Sequence, residues 1–106
     1  MRPIILAQTG VGMQVSNVNW RQRDFKIGFG VVVDGTVTYS VRHTFDSPSD
    51  FNGSADYAAN ADWFDHEFVF AQSVSEDGNY NYPIQGIMID VTAGAGTATL
   101  KALQAL

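Results

Sequence analysis

The stretch FKIGFGVVVDGTVTYSVRHTF, residues 25–45, has the clearest pattern in the chain. Two runs of β-branched and aromatic residues flank the dipeptide Asp34-Gly35, which is a common turn signal between antiparallel strands. Both runs alternate with period two, and in each run the odd-numbered positions carry nearly all the large apolar side chains. The pattern predicts a β-hairpin whose odd-numbered residues face the core.

The two apolar faces also constrain the predicted turn, because residues opposite each other in an antiparallel pair point to the same side of a sheet. A two-residue loop would set Val33 against Thr36 and would mix apolar with polar positions. A three-residue loop of Val33, Asp34 and Gly35, with Gly35 left-handed in a bulge, sets apolar against apolar. The sequence therefore predicts a bulged turn.

Further short runs of alternating residues lie on both sides of this stretch. We predict strands at 3–9, 13–16, 63–70, 84–92 and 97–104, with the last two forming a second hairpin around 93–96. Polar loops are predicted at 46–62, where a helical turn at 55–61 is too short to assign, and at 72–79, which holds a second Asp-Gly signal. Seven or eight short strands predict a single domain, residues 1–106, folded as an antiparallel β-sandwich, of which the jelly roll is one arrangement.

Composition narrows the class of protein. A chain of 106 residues suffices for one core, near the small end for independent stability. It has no cysteine, which excludes a disulfide scaffold, a thiolate zinc site and a cysteine nucleophile, and which fits maturation in a reducing compartment. The apolar run near the N-terminus is too short for a signal peptide or a membrane span.

Charge is unevenly distributed along the chain. Residues 1–42 hold five basic and two acidic side chains, whereas residues 43–90 hold nine acidic side chains and no Lys or Arg. The acidic region argues against binding to a nucleic-acid backbone, and the basic third could dock on an acidic protein surface. A solvated acidic rim is the simpler interpretation of the carboxylates.

Some carboxylates invite a chemical interpretation. Asp65 and Glu67 would share one strand face, as the two carboxylates of a glycosidase do, but the sequence offers no partner groups for a cleft. Asp46, Asp50 and Asp56 could hold calcium, yet they lack the ligand spacing of a calcium loop. We therefore predict neither catalysis nor a metal site from these residues.

Both histidines occupy predicted apolar strand faces. His43 belongs to the odd-numbered face of residues 37–45, and His66 would share a face with Phe64, Phe68 and Phe70. Neither has recognisable metal-ligand spacing. We expect each to be a hydrogen-bonded core histidine.

Aromatic residues lie in or beside the predicted loops, where they could meet another copy or a ligand, or close the ends of the sandwich. These five are Phe51, Tyr57, Trp63, Tyr80 and Tyr82.

Several segments in this order resemble a group of small all-β proteins encoded among the virion genes of tailed bacteriophages. The segments are Arg2-Pro3-Ile4 followed by Thr9-Gly10-Val11-Gly12, the strand residues 28–41 with His43-Thr44-Phe45-Asp46, and Asp77-Gly78-Asn79-Tyr80 ahead of the C-terminal strands. The resemblance covers nearly the whole chain, and it consists of turns and strands without a catalytic signature.

The resemblance implies a virion structural protein without enzymatic activity, and among such roles we favour a capsid decoration or cement protein. It would be made in the host bacterial cytoplasm and located on the capsid surface. Its partners would be the major capsid protein and copies of itself, as a dimer or trimer, with no cofactor, nucleic acid, membrane or small-molecule substrate. We expect a capsid-facing surface formed by Arg2, Arg21, Arg23 and Lys26.

Two alternatives remain open. One is a carbohydrate-binding module that stacks sugars on Trp63, Tyr57 and Tyr80. It predicts a concave aromatic surface left open in the assembled particle. The other is a different small structural component of the phage tail or neck.

Overall fold

The structure is a computed structural model and describes residues 3–21 and 25–104. It contains eight strands: β1 (Ile4–Thr9), β2 (Gly12–Asn17), β3 (Ile27–Asp34), β4 (Val37–Thr44), β5 (Trp63–Asp65), β6 (Glu76–Tyr80), β7 (Gly86–Gly94) and β8 (Thr97–Gln104). A 3-10 helix (Pro48–Asp50) and one α-helix, α1 (Ser54–Asn60), lie between β4 and β5.

The strands form two four-stranded antiparallel sheets. The front sheet has the order β1-β8-β3-β6 and the back sheet the order β2-β7-β4-β5. Four pairs are nested around the β4–β5 connection: β4 with β5, β3 with β6, β2 with β7 and β1 with β8. The chain is thus one long hairpin rolled up so that β3 also meets β8 and β4 also meets β7. This is the strand order of a jelly roll, and the predicted antiparallel β-sandwich is confirmed.

The predicted hairpin of residues 25–45 is wrong, although both of its strands exist. β3 belongs to the front sheet and β4 to the back sheet, so Asp34-Gly35 carries the chain across the sandwich. Gly35 is left-handed as predicted, with φ of 83°, but the expected pairing of Val31 with Val37 does not form. The same correction applies to β7 and β8. Alternation shows only which side of a strand faces the core. A connection that crosses between sheets buries the same positions as a hairpin, so alternation cannot distinguish the two.

The predicted strand 63–70 is shorter than expected and its inner face differs. β5 ends at Asp65, and the backbone then forms a bulge opposite Val41 of β4, which accepts a hydrogen bond from the N–H of His66 and donates one to the backbone oxygen of Val69. Further on, Gln72 pairs with Tyr39. Phe68 and Phe70, predicted to face the core, are exposed, and Val69 is buried in their place. The bulge shifts the register by leaving the regular ladder, which the alternation of residue types could not reveal.

The predicted polar loop 72–79 contains strand β6 instead. Its Asp77-Gly78 dipeptide is part of the ladder with β3, where Gly78 lies opposite Phe29. Gly78 is small because the space beside it is filled: a Cβ there would lie 2.8 Å from the Phe29 ring and 3.1 Å from that of His66. The glycine therefore serves packing and not a turn.

The inner faces of both sheets form one core. Its fully buried members include Ile27, Val31, Val37, Tyr39, Val41, Tyr80, Ile84, Ile87, Ile89, Ala98, Leu100 and Ala102.

The two outer faces of the sandwich differ in how far other parts of the chain cover them. The 46–62 connection, with α1, packs over the back sheet: Tyr57 is buried there, and its hydroxyl donates a hydrogen bond of 2.9 Å to the backbone oxygen of Asp46. Beneath it lie Thr44 and Gly86, both buried. The outer positions of the front sheet carry no comparable cover and are exposed or partly exposed on all four strands.

Candidate functional site: an exposed aromatic surface

Three exposed aromatic rings cluster at one edge of the sandwich. Phe45 and Phe64 are each 51% exposed and Tyr82 is 47% exposed. The centroid of the Phe45 ring lies 6.0 Å from that of Phe64 and 6.3 Å from that of Tyr82. We call these three rings the aromatic surface. Single exposed apolar residues are ordinary on proteins, whereas a contiguous group marks an interaction site.

The topology explains why these rings are exposed. Phe64 lies on β5 directly opposite His43 on β4, so both point toward the inner side of the back sheet. His43 is buried because β6 lies across from it, but β5 is the last strand of its sheet. Phe64 is therefore half open to solvent at the gap between the two sheet edges.

Two buried residues, His43 and Tyr80, lie beneath the aromatic surface and support it. The His43 ring is 5.5 Å from Phe45, 6.0 Å from Phe64 and 5.8 Å from Tyr82, measured between centroids. The Tyr80 ring lies 4.8 Å from His43, and the Tyr80 hydroxyl is hydrogen-bonded to His43 Nδ1 at 2.9 Å. The exposed rings thus rest on fixed neighbours, which reduces the conformational entropy that a partner would have to remove.

Burial favours the neutral forms of His43 and Tyr80. Burial lowers the pKa of His43, the nearby His66 lowers it further, and Asp65 partly offsets both effects. Burial also raises the pKa of the Tyr80 hydroxyl. At neutral pH the aromatic surface therefore covers an uncharged hydrogen-bonded pair, which suits an apolar contact.

His66 fixes the bulge next to this surface. Its Nδ1 accepts hydrogen bonds from the backbone N–H groups of Phe68 (3.2 Å) and Val69 (3.1 Å). Because Nδ1 is an acceptor, Nε2 carries the proton and donates to the backbone oxygen of Asn79 at 2.9 Å. The expectation of two hydrogen-bonded core histidines is confirmed.

An acidic side chain flanks the aromatic surface. Burial raises the pKa of the Tyr82 hydroxyl and the negative charge of Glu67 raises it further, so this carboxylate is nearby. Lys26 is exposed between the buried Phe25 and Ile27, so its side chain points away from the core side of the front sheet.

The structure separates the five aromatic residues singled out from the sequence. Tyr57 and Tyr80 are buried within the chain itself, which corrects the expectation that they face a ligand or another copy. Phe51 and Trp63 are partly buried and lie 5.4 and 5.3 Å from the Tyr57 ring, so they hold the 46–62 connection in place. Tyr82 alone belongs to the aromatic surface.

The predicted basic surface is only partly described. Arg2 and Arg23 lie outside the described residues. Arg21 is exposed, and its guanidinium carbon lies 5.0 Å from the centroid of the Trp20 ring, a cation–π contact. Lys26 is exposed as well.

The loop carboxylates cap backbone groups. Asp46 accepts a hydrogen bond of 2.7 Å from the backbone N–H of Asp62, and Asp56 accepts one of 2.8 Å from that of Asn52. The bond from Asn52 lowers the pKa of Asp56, with a further contribution from Asn60. Within residues 3–21 and 25–104, no three His, Cys, Asp or Glu side chains are grouped as a metal site would need.

Asp65, one half of the proposed carboxylate pair, is engaged in an ion pair. Its Oδ1 lies 2.8 Å from Nε of Arg42, the residue opposite it on β4. The Arg42 guanidinium also lies 3.9 Å from Asp90, so it serves two carboxylates on the outer side of the back sheet. This arrangement is typical of cross-strand pairing.

Sequence reasoning did not identify Phe45 and Phe64 as site residues, because both occupy positions of core parity. The signal that could have found them is their position at strand ends, where the opposite sheet no longer covers the inner face. No family model, curated protein or solved structure matches the chain. Across the described ranges, no helix has the length and apolar character needed to cross a membrane.

Proposed function

We propose that this protein is a non-enzymatic virion structural protein that decorates a phage capsid and stabilises it by clamping neighbouring major capsid subunits. The observation that carries the proposal is the aromatic surface: three half-exposed rings at one sandwich edge, seated on the buried His43–Tyr80 pair. The resemblance to small virion proteins is the reason for proposing a phage particle, and the jelly roll is an architecture common among capsid proteins.

The composition of the surface favours a protein partner. Aromatic residues are enriched at the centres of protein interfaces, with polar and charged residues at the rim. Phe45, Phe64 and Tyr82 provide such a centre, and Glu67 lies at its edge.

Stabilisation follows from multiplicity. Anything that binds the assembled shell but not its separated subunits stabilises the shell by mass action. Many copies, each weakly bound, add contacts across many joints. The chain needs only a rigid surface and a stable core for this task.

The carbohydrate-binding alternative has weaker support. Two of its three proposed stacking residues, Tyr57 and Tyr80, are buried and offer no open ring face. The exposed rings form an open surface at a sheet edge, whereas sugar stacking was expected on a concave one.

The test is an add-back experiment on particles that lack this protein. Shells are heated with increasing amounts of wild-type protein, and the disruption temperature and bound copies per capsid subunit are measured. We expect the disruption temperature to rise and binding to saturate at a fixed stoichiometry. Phe64→Ser should bind at least tenfold more weakly, because it removes a central ring.

Phe70→Ser is the matched control, because Phe70 is similarly exposed, at 46%, but lies outside the aromatic surface. It should bind like the wild type, and circular dichroism should show both variants folded. Shells whose stability does not respond to added protein would contradict the proposal. Glycan binding by the wild type that Phe64→Ser abolishes, without any binding to shells, would favour the carbohydrate alternative instead.

A further inference from the structure

The outer face of the front sheet, here called the front face, is bare. Its outward positions are exposed or partly exposed on all four strands, and three of them are large and aliphatic: Ile5 is 61% exposed, Val32 59% and Leu103 64%. The back sheet, by contrast, is covered over part of its outer side by α1 and its flanking loops, where Tyr57 is buried. The two outer faces of the sandwich therefore differ in how far the chain covers them.

Two glycines lie in the middle of the front face, where neither the backbone conformation nor a neighbouring side chain requires glycine. Gly28 and Gly30 alternate with buried residues of β3, and β3 pairs in continuous register with both neighbouring strands across them. Neither has a positive φ, and a Cβ on either would meet no atom within 4 Å. Glycine weakens a strand interior, and its usual reasons are a bulge, a tight bend or the close approach of a ligand or another backbone.

The continuous register excludes a bulge at either glycine, and no segment described in the structure approaches them. A shallow depression of about 320 Å³ lies at Gly30 and is lined in part by Val32 and Asp77. The two glycines therefore suit the close approach of another molecule.

The charges of the front face identify that molecule. Lys101 on β8 lies directly opposite Gly30, and Gly30 lies directly opposite Asp77 on β6. At about 4.8 Å between strands, Lys101 and Asp77 are equidistant from Gly30 on either side of it. A two-fold axis running along β3 between two facing copies brings Lys101 of each copy over Asp77 of the other.

We propose that the front face binds a second copy of this chain in a two-fold symmetric dimer centred on β3. The same axis places the glycines of one copy over those of the other, so the sheets can approach closely, and it sets Val32 against its own counterpart. A two-fold contact must be complementary to itself, and the Lys101–Gly30–Asp77 row meets that condition. This interface is separate from the aromatic surface, so the proposed capsid contact stays free.

The size of the face sets the strength of the dimer. An axis along β3 overlaps β8, β3 and β6 with the other copy and leaves β1 outside the contact. Three strands about 4.8 Å apart, each with about seven residues at 3.3 Å, give about 330 Å² per copy. Stable complexes bury about 800 Å² per partner. The dimer is therefore weak in dilute solution and grows with concentration, as in a dense array of copies.

Analytical ultracentrifugation of the full chain over a wide concentration range tests the proposal. The wild type should shift from monomer to dimer. Gly30→Thr should weaken association at least tenfold without lowering the melting temperature, because the added atoms point to open space and threonine favours strands. Lys101→Asp and Asp77→Lys should each weaken association, and the two together should restore it.

Two controls separate this face from other surfaces. Asp50→Lys makes the same charge change as Asp77→Lys but lies in the 3-10 helix, and Phe64→Ser alters the aromatic surface; both should dimerise like the wild type. A wild type that stays monomeric throughout would overturn the proposal. So would undiminished association of Gly30→Thr, or failure of the double charge reversal to restore the dimer.

Discussion

The hydroxyl of Tyr80 and Nδ1 of His43 form a 2.9 Å hydrogen bond that joins the two sheets beneath the aromatic surface. Tyr80 belongs to the front sheet and His43 to the back sheet, and both are almost fully buried, at 1% and 5% exposure. Each side chain therefore provides the hydrogen-bond partner that the buried polar group of the other needs. The pair also fixes the separation of the sheets at the edge where the exposed rings lie.

Removing both partners of this pair should cost less free energy of unfolding than the sum of the two single losses. Tyr80→Phe leaves His43 Nδ1 buried without its partner and should lower the free energy of unfolding by about 1–3 kcal/mol. His43→Leu should cost less in the Tyr80→Phe background than in the wild type, because no polar group is then stranded. Urea denaturation of the four proteins measures this coupling. Simple additivity of the two losses would show that the hydrogen bond carries no net energy.

Stability should fall on mild acidification. The pKa of His43 is below its ordinary value of 6.5 in the folded chain, so the unfolded chain takes up a proton first as the pH falls. The free energy of unfolding should therefore be constant above about pH 7 and decline from pH 6.5 down to the folded pKa. The groups that act on the ring are Tyr80, His66 and Asp65.

Thermal melts between pH 8 and pH 5 measure this dependence. His43→Gln, which cannot titrate, should show a shallower decline than the wild type. Equal slopes for the two proteins would mean that other groups cause the acid sensitivity.

His66 should show one tautomer by NMR. Its Nδ1 accepts from Phe68 and Val69 while Nε2 donates to Asn79, so the proton resides on Nε2. The ¹⁵N shifts of the ring should report this form at neutral pH. The amide of Val69 should exchange slowly with solvent, and His66→Phe should accelerate that exchange because it removes the acceptor. Rapid exchange in the wild type would be inconsistent with this anchoring.

Gly86 and Gly28 should respond oppositely to alanine. A Cβ on Gly86 would overlap the Tyr57 hydroxyl and lie 2.9 Å from Cγ2 of Thr44, so Gly86→Ala displaces the connection that covers the back sheet. Overpacking of this kind costs about 1–3 kcal/mol. Gly28→Ala meets no atom and should leave stability unchanged or raise it. Denaturant midpoints give the comparison, and a similar loss in both would contradict the difference in packing.

The sequence predicted the sandwich and most of its strands, because alternation depends only on which side of a strand is buried. It could not assign strands to sheets. The short connections at Asp34-Gly35 and at residues 93–96 fit a hairpin and a crossing equally well, and the choice depends on pairings between distant segments. Gly78 misled in another way: it suggested a turn, but Phe29 and His66 exclude a larger side chain there.

The candidate site was harder to predict than the fold. Phe45 and Phe64 have the parity of core residues, and they are exposed only because β5 and β6 are the last strands of their sheets. Edge position is a property of the assembled topology and leaves no local mark in the sequence. The reverse holds for Tyr57 and Tyr80, whose loop-like surroundings suggested exposure although packing buries both.

The nested pairing of strands has a consequence for how the chain folds. The innermost pair, β4 with β5, closes the connection of residues 45–62, whereas the outermost pair sets Ile4 opposite Ala102. Non-local pairing of this kind is slow, and all-β domains rich in it fold in milliseconds to seconds. The rolled hairpin should therefore close from the middle of the chain outward. On the ribosome, the front sheet can be completed only after β8 has been synthesised, so a nascent chain must wait with β1 unpaired.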